Sequence, residues 1–520
     1  MKRAARPRTV LFLLSDTGAG HRSAANAIHN AMQLIEQQIA ASQRSSGDLT
    51  ASRRAGGHDP NWRALLVDVF AECGRFPLSK SPFIYGPAIT YSPRLYSQIF
   101  RMTNSVSRFN AAWRLSQPFI RQGLIHLLER SRPDVIVSVH PLLNHITLQV
   151  LRDVGLRIPF ITVVTDLFSI HCSWIAPGVT ACVVPTEAAR RFAIAGGVPA
   201  RRVHLLGMPI DPKFSTTPTN TPAERKAELG FDPALPVVLL VGGGDGAGGL
   251  GRAVAALSHE RLNAQLAIVT GRNKQLFAEL QRNKGQFRMP THIFGFVNNM
   301  PDLMRAADVI VTKAGPGTLS EAMACELPII LTGAVPGQEE GNVDFVLENE
   351  MGVLATTPQR IVTALHSLLD PDNPQLARMR ENVRRLSKPR ASFDIARLIL
   401  SHVPAEGVPS LWEQAHRPTR GRLTRALLSR RRWPLAQAER LIRGRGSGSR
   451  SGRRVRLPIP GWRQRRSPLR RMPGIPNLAG ARALLLRGTS FGKAQIWQPG
   501  RARKLMEDLF LIDKIDQSEE

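Results

Sequence analysis

Apolar positions along the chain fall into two alternating patterns. Short, largely β-branched runs, "TVLFLLSD" (9–16), "ALLVDVF" (64–70), "DVIVSVH" (134–140), "FITVVTD" (160–166) and "ACVVPT" (181–186), predict strands buried on both faces. Between them lie stretches of helical period such as "SAANAIHNAMQLIEQQI" (23–39), and this alternation predicts a parallel α/β sheet. A proline-rich passage, "GMPIDPKFSTTPTNTPAERK" (207–226), reads as a linker. The pattern then restarts with "PVVLLVGGG" (236–244), "QLAIVTGRN" (265–273), "HIFGFV" (292–297), "DVIVTKAG" (308–315) and "PIILTGAVPG" (328–337). The expected architecture is two doubly wound Rossmann-like domains, 1–206 and 236–402, joined by a linker over 207–235. They would face each other across a cleft, with ligands at the carboxyl ends of the strands. Residues 41–62, rich in Ser, Gly and Arg, read as a flexible insertion on the first domain.

Charge separates the end of the chain from this body. Of the formal net charge of +30, a net +17 lies after residue 400, and residues 417–471 carry 19 Arg against one Glu. Broken by Pro, Gly and Ser, this stretch cannot bury a core, and 403–520 is expected to be a basic, largely disordered tail. Within it "RLTRALLSRRRWPLAQAERLIR" (422–443) mixes Leu, Ile and Trp with Arg as an interfacial helix does, although Pro434 would divide it. A solvated tail and an anchor for anionic lipid both fit; no recognition-helix pattern favours nucleic acid. The four cysteines form no CxxC pair and suit a reducing compartment. The amino-terminal apolar run is too short for a signal peptide, and no stretch reaches the length of a membrane span, so a soluble or peripheral protein is expected.

Three glycine-rich turns follow predicted strands. In "SDTGAGHR", Gly18 and Gly20 let a ligand approach the backbone, and His21 opens a helix, where it could act as a general base or merely cap and pack. "VGGGDGAGG", with Gly243, Gly244 and Asp245, holds the equivalent place in the second domain. In "KAGPGTLSEAMA", Gly315 and Gly317 clear space, while Thr318 and the first helical amides face where a phosphate would bind. Glu321, one turn on, is placed either to grip a ribose diol or to act as a capping carboxylate. There is neither a Walker lysine motif nor a DxD pair, which disfavours an ATPase or a metal-dependent sugar transferase.

These stretches, together with "RPDVIVSVHPLLNH", "VVTDLFSIHCSWIAPGVTACVVPT", "GFVNNMPDLM" and "VTKAGPGTLSEAMACELPIILTGAVPGQEEGNVDFV", closely resemble the monogalactosyldiacylglycerol synthase type of GT-B glycosyltransferase over roughly residues 9–400. The group is related to processive diacylglycerol glucosyltransferases and to the transferase that makes lipid II. The resemblance implies transfer of galactose or glucose from a UDP-α-sugar to 1,2-diacylglycerol, with inversion and without a catalytic metal or other cofactor. By the same resemblance the backbone at Phe296 and Val297 would meet uracil, Glu321 the ribose, and Gly315, Gly317 and Thr318 the diphosphate. Gln338, Glu339 and Asn342 would serve the sugar, with Arg272 and Asn273 and the Gly243, Gly244 and Asp245 loop lining the same cleft. His21 would be the base; His140, His145 and Asp166 compete for that role on the acceptor side, and Trp174 with residues 76–96 would form a lipid-facing lip. Asp211 stands where a basic residue is expected, leaving Arg272 as the substitute cation for the diphosphate. The implied location is peripheral, on the cytoplasmic face of the cell membrane, with the basic tail on anionic lipid. The alternatives are a UDP-GlcNAc transferase acting on a polyprenyl-linked acceptor, and a non-catalytic lipid- or nucleic-acid-binding protein.

Overall fold

A computed structural model describes residues 6–18, 20–46, 62–81, 83, 92–217, 219–242 and 250–405. Three expectations therefore lie largely or wholly outside the described residues: most of the surface insertion, the Gly243, Gly244 and Asp245 loop, and the basic tail.

Each half of the body is a six-stranded, all-parallel sheet. The first has the order β2-β1-β3-β4-β5-β6, from β1 (Arg8–Leu14), β2 (Trp62–Asp68), β3 (Val135–Ser138), β4 (Phe160–Val163), β5 (Ala181–Val184) and β6 (Val203–Leu205). The second has the order β12-β11-β10-β7-β8-β9, from β7 (Val237–Val241), β8 (Gln265–Val269), β9 (Thr291–Phe294), β10 (Val309–Thr312), β11 (Ile329–Leu331) and β12 (Gly352–Leu354). Alternate residues of β1 enter different cores: Val10, Phe12 and Leu14 face one way, Leu11 and Leu13 the other. In β7, Val237, Leu239 and Val241 separate from Val238 and Leu240 in the same way. Burial on both faces is why these strands read as unbroken apolar runs.

Six helices bear on the site: α1 (Gly20–Ser46), α2 (Pro93–Thr103), α3 (Val106–Ser116), α4 (Pro316–Ala324), α5 (Glu340–Glu348) and α6 (Ala391–Leu400). The ten anticipated strands are present, but β2 stops at Asp68, because its carboxylate accepts from Ala71 N at 3.0 Å and starts a short helix. The edge strands β6 and β12 were not anticipated. Each has three residues, too few to show a period.

The proline-rich passage is packed rather than loose, with Met208, Ile210, Phe214 and Phe231 buried in the second domain's core. A second crossing runs beside it. Gly207, at φ +99°, lies against Lys388 and Ala391, and Ser392 Oγ donates to Ile210 O. That return carries α6, contiguous in sequence with the second domain, onto the first sheet, where Ile395, Ala396, Ile399 and Leu400 pack with Val10, Phe12 and Ile28. The two halves are thus joined by two adjacent chain segments. No helix among the described residues is long and apolar enough to cross a membrane.

Candidate active site

Strand order reverses between β1 and β3 in the first sheet and between β7 and β10 in the second, so the turns after these strands open toward ligand. The turn after β1 is pinned from β2, where Asp68 Oδ2 accepts from Asp16 N at 2.9 Å. Gly18 takes φ +79° there, which admits the turn into α1, and Gly20 begins the helix with open space where a Cβ would stand.

His21 follows at once. Its Nδ1 lies 2.8 Å from Val139 O, just past β3, and 3.1 Å from Thr165 Oγ1. A carbonyl can only accept, so Nδ1 carries the proton and Nε2 keeps a bare lone pair. Burial lowers the imidazole pKa to about 4, against the opposing pull of the Val139 bond and the Asp16 carboxylate. Asp16 is itself held by Arg22 through contacts of 2.6 and 2.8 Å.

Of the competing bases, His140 and Asp166 are otherwise engaged, while His145 keeps a buried Nε2 without a partner among the described residues. His140 lies 4.5 Å from His21 with the two rings tilted, but its Nδ1 accepts from Leu142 N and its Nε2 lies 3.0 Å from Thr17 Oγ1. It therefore holds the turn and has no free lone pair. Burial, then the neighbouring His21, pushes its pKa well down. His145 packs on Phe109 at 5.3 Å and bonds the backbone of Ile175, and among the described residues it makes no ring contact with His21. Asp166 accepts from Trp174 Nε1 at 2.6 Å and is hydrogen-bonded by Gln338. Burial still lifts its pKa to about 6, with Glu339 adding to the rise. Trp174 is 0 % exposed with its ring 6.3 Å from His21, so it cannot face lipid as expected; its indole belongs to the packing beneath the site.

On the donor side, α4 starts at Gly315 with no side chain capping it among the described residues, which leaves first-turn amides available to an anion. A Cβ placed on Gly317 would meet nothing within 4 Å, so this turn keeps open space above Thr318. Glu321, one turn on, has its pKa raised to about 7 by burial and then by Asp211. The Asp211 carboxylate also accepts from Lys213 N at 2.9 Å. The cation at this turn is Lys313, which no motif in the sequence singles out: its Nζ lies 2.5 Å from Glu339 Oε1 and beside Gly315. Arg272, the expected substitute, instead sits 5.5 Å over the ring of Phe296 at the outer edge, while Val297 packs on the core. Asn273 caps a helix, accepting from Leu276 N at 2.9 Å.

Glu339 and Asn342 depart from expectation. Glu339 is buried with both oxygens committed, one to Lys313 and one to Val335 N. Asn342 is buried and donates to Ala314 O at 2.9 Å. Glu339 thus braces the turn before α4, and Asn342 ties to it through Nδ2 while its Oδ1 has no partner among the described residues. Gln338 does reach across, meeting Asp166 and accepting from the Tyr96 hydroxyl at 2.8 Å.

Comparison with known proteins now bears on this geometry. Residues 53–210 match the family model for monogalactosyldiacylglycerol (MGDG) synthase, and residues 237–389 that for the glycosyltransferase family 28 C-terminal domain. Monogalactosyldiacylglycerol synthase 1, chloroplastic, of Arabidopsis thaliana is 36% identical over 401 residues, covering 75% of this chain and 70% of its own. The chain belongs to the monogalactosyldiacylglycerol synthase family. The spinach member, from Spinacia oleracea, is 34% identical over 400 residues, covering 75% of this chain and 71% of its own. Of solved structures, MurG of Acinetobacter baumannii aligns at TM-score 0.45 and 16% identity, over 76% of this chain and all of that one. UDP-GlcNAc 2-epimerase of Neisseria meningitidis aligns at TM-score 0.47 and 14% identity, over 76% of this chain and all of that one. For an MGDG synthase family member, two facing parallel sheets with a paired crossing are the GT-B arrangement that the motifs implied.

Proposed function

We propose that this chain transfers galactose from UDP-galactose to the free hydroxyl of 1,2-diacylglycerol, giving the β-galactoside and UDP. Membership in the MGDG synthase family supports the substrates. The observation that supports the mechanism is the 2.8 Å contact of His21 Nδ1 with Val139 O, which puts the proton on Nδ1 and leaves Nε2 as the atom able to take one. In this reading the acceptor oxygen attacks the anomeric carbon from the face opposite UDP. Its proton passes to Nε2 as the bond to the diphosphate oxygen breaks, and the configuration inverts. A neutral imidazole with a depressed pKa is a weak resting base, so proton transfer would run with bond formation and not ahead of it. The departing charge falls to the uncapped start of α4 and to Lys313, with Glu321 on the ribose and no metal in the scheme.

The acceptor would come from a membrane surface. Residues 75–121 hold seven Lys and Arg and no Asp or Glu. Among them Phe83, 68 % exposed, and Leu115, 77 % exposed, are open to solvent, as are Phe76, Met102 and Val106. This lip would seat in lipid while the basic tail adds charge attraction to anionic headgroups on the cytoplasmic face. Single-turnover assays in mixed micelles with EDTA, labelled UDP-galactose, UDP-glucose and UDP-GlcNAc, and wild type beside His21→Ala test the reading. The expected result is labelled β-galactosyl-diacylglycerol, lowered at least about 100-fold in the variant. Label from UDP-GlcNAc alone, or undiminished turnover in the variant, would overturn it.

A further inference from the structure

Helix α2 touches both halves of the site at once. On one face Tyr96 donates to Gln338 Oε1 at 2.8 Å, and Arg101 pairs with Glu340 at 3.1 Å. Between them Gly337, at φ +84°, comes so close that a Cβ would stand 3.2 Å from Ser97 Oγ and 3.4 Å from the Phe100 ring. Only glycine satisfies both that backbone and that approach. Further along the same side Phe100 packs 5.0 Å from His171, Thr103 Oγ1 lies 3.3 Å from His171 Nε2, and Asn104 accepts from Cys172 N at 2.8 Å. The clamped segment, 171–174, is the one whose Trp174 donates to Asp166. α2 therefore fixes both ends of the bond between Gln338 and Asp166, one through Tyr96 and the other through the turn that carries Trp174.

This arrangement decides which way the Gln338 amide points. A carboxylate accepts hydrogen bonds, so Gln338 meets Asp166 through its NH₂, and its oxygen is the atom left for Tyr96. Turned over, the amide would set its oxygen against the Asp166 carboxylate and its NH₂ against a hydroxyl. With the orientation seen, the amide nitrogen serves Asp166.

We propose that Tyr96 is a positioning residue: by holding the Gln338 oxygen it keeps the amide turned with its nitrogen on Asp166 and the side chain in place at the transferred sugar. This rests on the reading above that Gln338 serves the donor sugar. Tyr96 stands on the element that leads out of the lipid-facing segment, so seating the lip and aligning the donor sugar share one helix. UDP itself, lacking the sugar, gains nothing from the contact.

A double-mutant cycle on the full chain tests this, with turnover of UDP-galactose onto diacylglycerol, UDP affinity by calorimetry and thermal melting read for Tyr96→Phe, Gln338→Ala and the pair. Tyr96→Phe keeps the ring and its packing, so the fold is retained and the melting point serves as control. The expected result is a fall of about three- to tenfold in kcat/KM, carried mainly by kcat, from loss of one neutral hydrogen bond. UDP affinity stays unchanged. The double variant loses less than the sum of the two single losses, because the Tyr96 hydroxyl acts through that amide. Additive losses, or unchanged kcat in Tyr96→Phe while Gln338→Ala is impaired, would overturn the positioning role. If Gln338→Ala turns over like wild type, the placement of Gln338 at the sugar fails, and this proposal with it.

Discussion

Two demands meet at Glu321. Burial and the Asp211 carboxylate lift its pKa to about 7, whereas a ribose diol is gripped best by an ionised carboxylate that accepts both hydroxyl protons. UDP affinity is therefore expected to fall as pH drops below about 7, approaching tenfold per unit, which calorimetry between about pH 5 and about pH 8 would reveal. Stability runs the other way. The folded pKa lies above the unfolded one, so the folded chain holds the proton more tightly. The resulting stability, full below about 4.5, is lost as pH rises through about 7. Glu321→Gln fixes the uncharged state; at about pH 8 it should melt higher than wild type while binding UDP at least about tenfold more weakly. A variant that melts no higher would show that the carboxylate is not desolvated. His21, with its pKa depressed to about 4, is neutral across this range, so the acid limb of kcat/KM belongs to Glu321 and Asp166. His21 and Glu321, the base and ribose ligand of the proposed reading, stand out in the sequence because each follows a glycine turn at the end of a buried strand. Asp68, Lys313 and Tyr96 do not: their partners lie 52, 26 and 242 positions away, and a single sequence carries no signal for such pairs. Glu339 and Asn342 sit in the right loop, but only packing shows that they brace it.

Among the elements, the doubly buried strands announced themselves, since nothing but an interior strand tolerates so short and so apolar a run. The last helix did not. Its apolar stripe says that α6 is covered on one side, and sequence position assigns that cover to the second domain; the structure gives it to the first sheet, against Val10, Phe12 and α1. The consequence is measurable. Ile399→Ala opens a cavity in that core and should cost about 2–5 kcal/mol. The loss should appear in the first domain, as faster hydrogen exchange at the amides of β1 and β3 with β7 and β10 unaffected. Equal acceleration in both sheets, or in the second alone, would contradict the packing seen here. The same crossing explains why the proline-rich passage misled: Met208, Ile210 and Phe214 are core residues, and prolines fix their path between domains instead of loosening it.

At the scale of the whole molecule, two basic features separate by what they would do at a membrane. The lip over residues 75–121 combines seven cations with exposed aromatic and aliphatic side chains, so part of its affinity for lipid would come from apolar burial and resist salt. The tail over 417–471 carries 19 Arg against one Glu, and apart from the apolar positions of 422–443 its attraction would be electrostatic, screened within about 10 Å at 0.1 M salt. Among the described residues the four apolar cores are built from residues between 10 and 403. A chain ending at Ala405 should therefore retain turnover on diacylglycerol dispersed in neutral micelles. It should also lose at least about tenfold in binding to anionic vesicles at low salt, and that difference should vanish at about 0.5 M salt. Leu115→Asp should behave oppositely, weakening binding to neutral and anionic vesicles alike at either salt concentration. Flotation of the three proteins with both kinds of vesicle separates the cases. Equal binding of the shortened and full chains to anionic vesicles at low salt would remove the tail from the anchoring scheme and leave the lip to carry it.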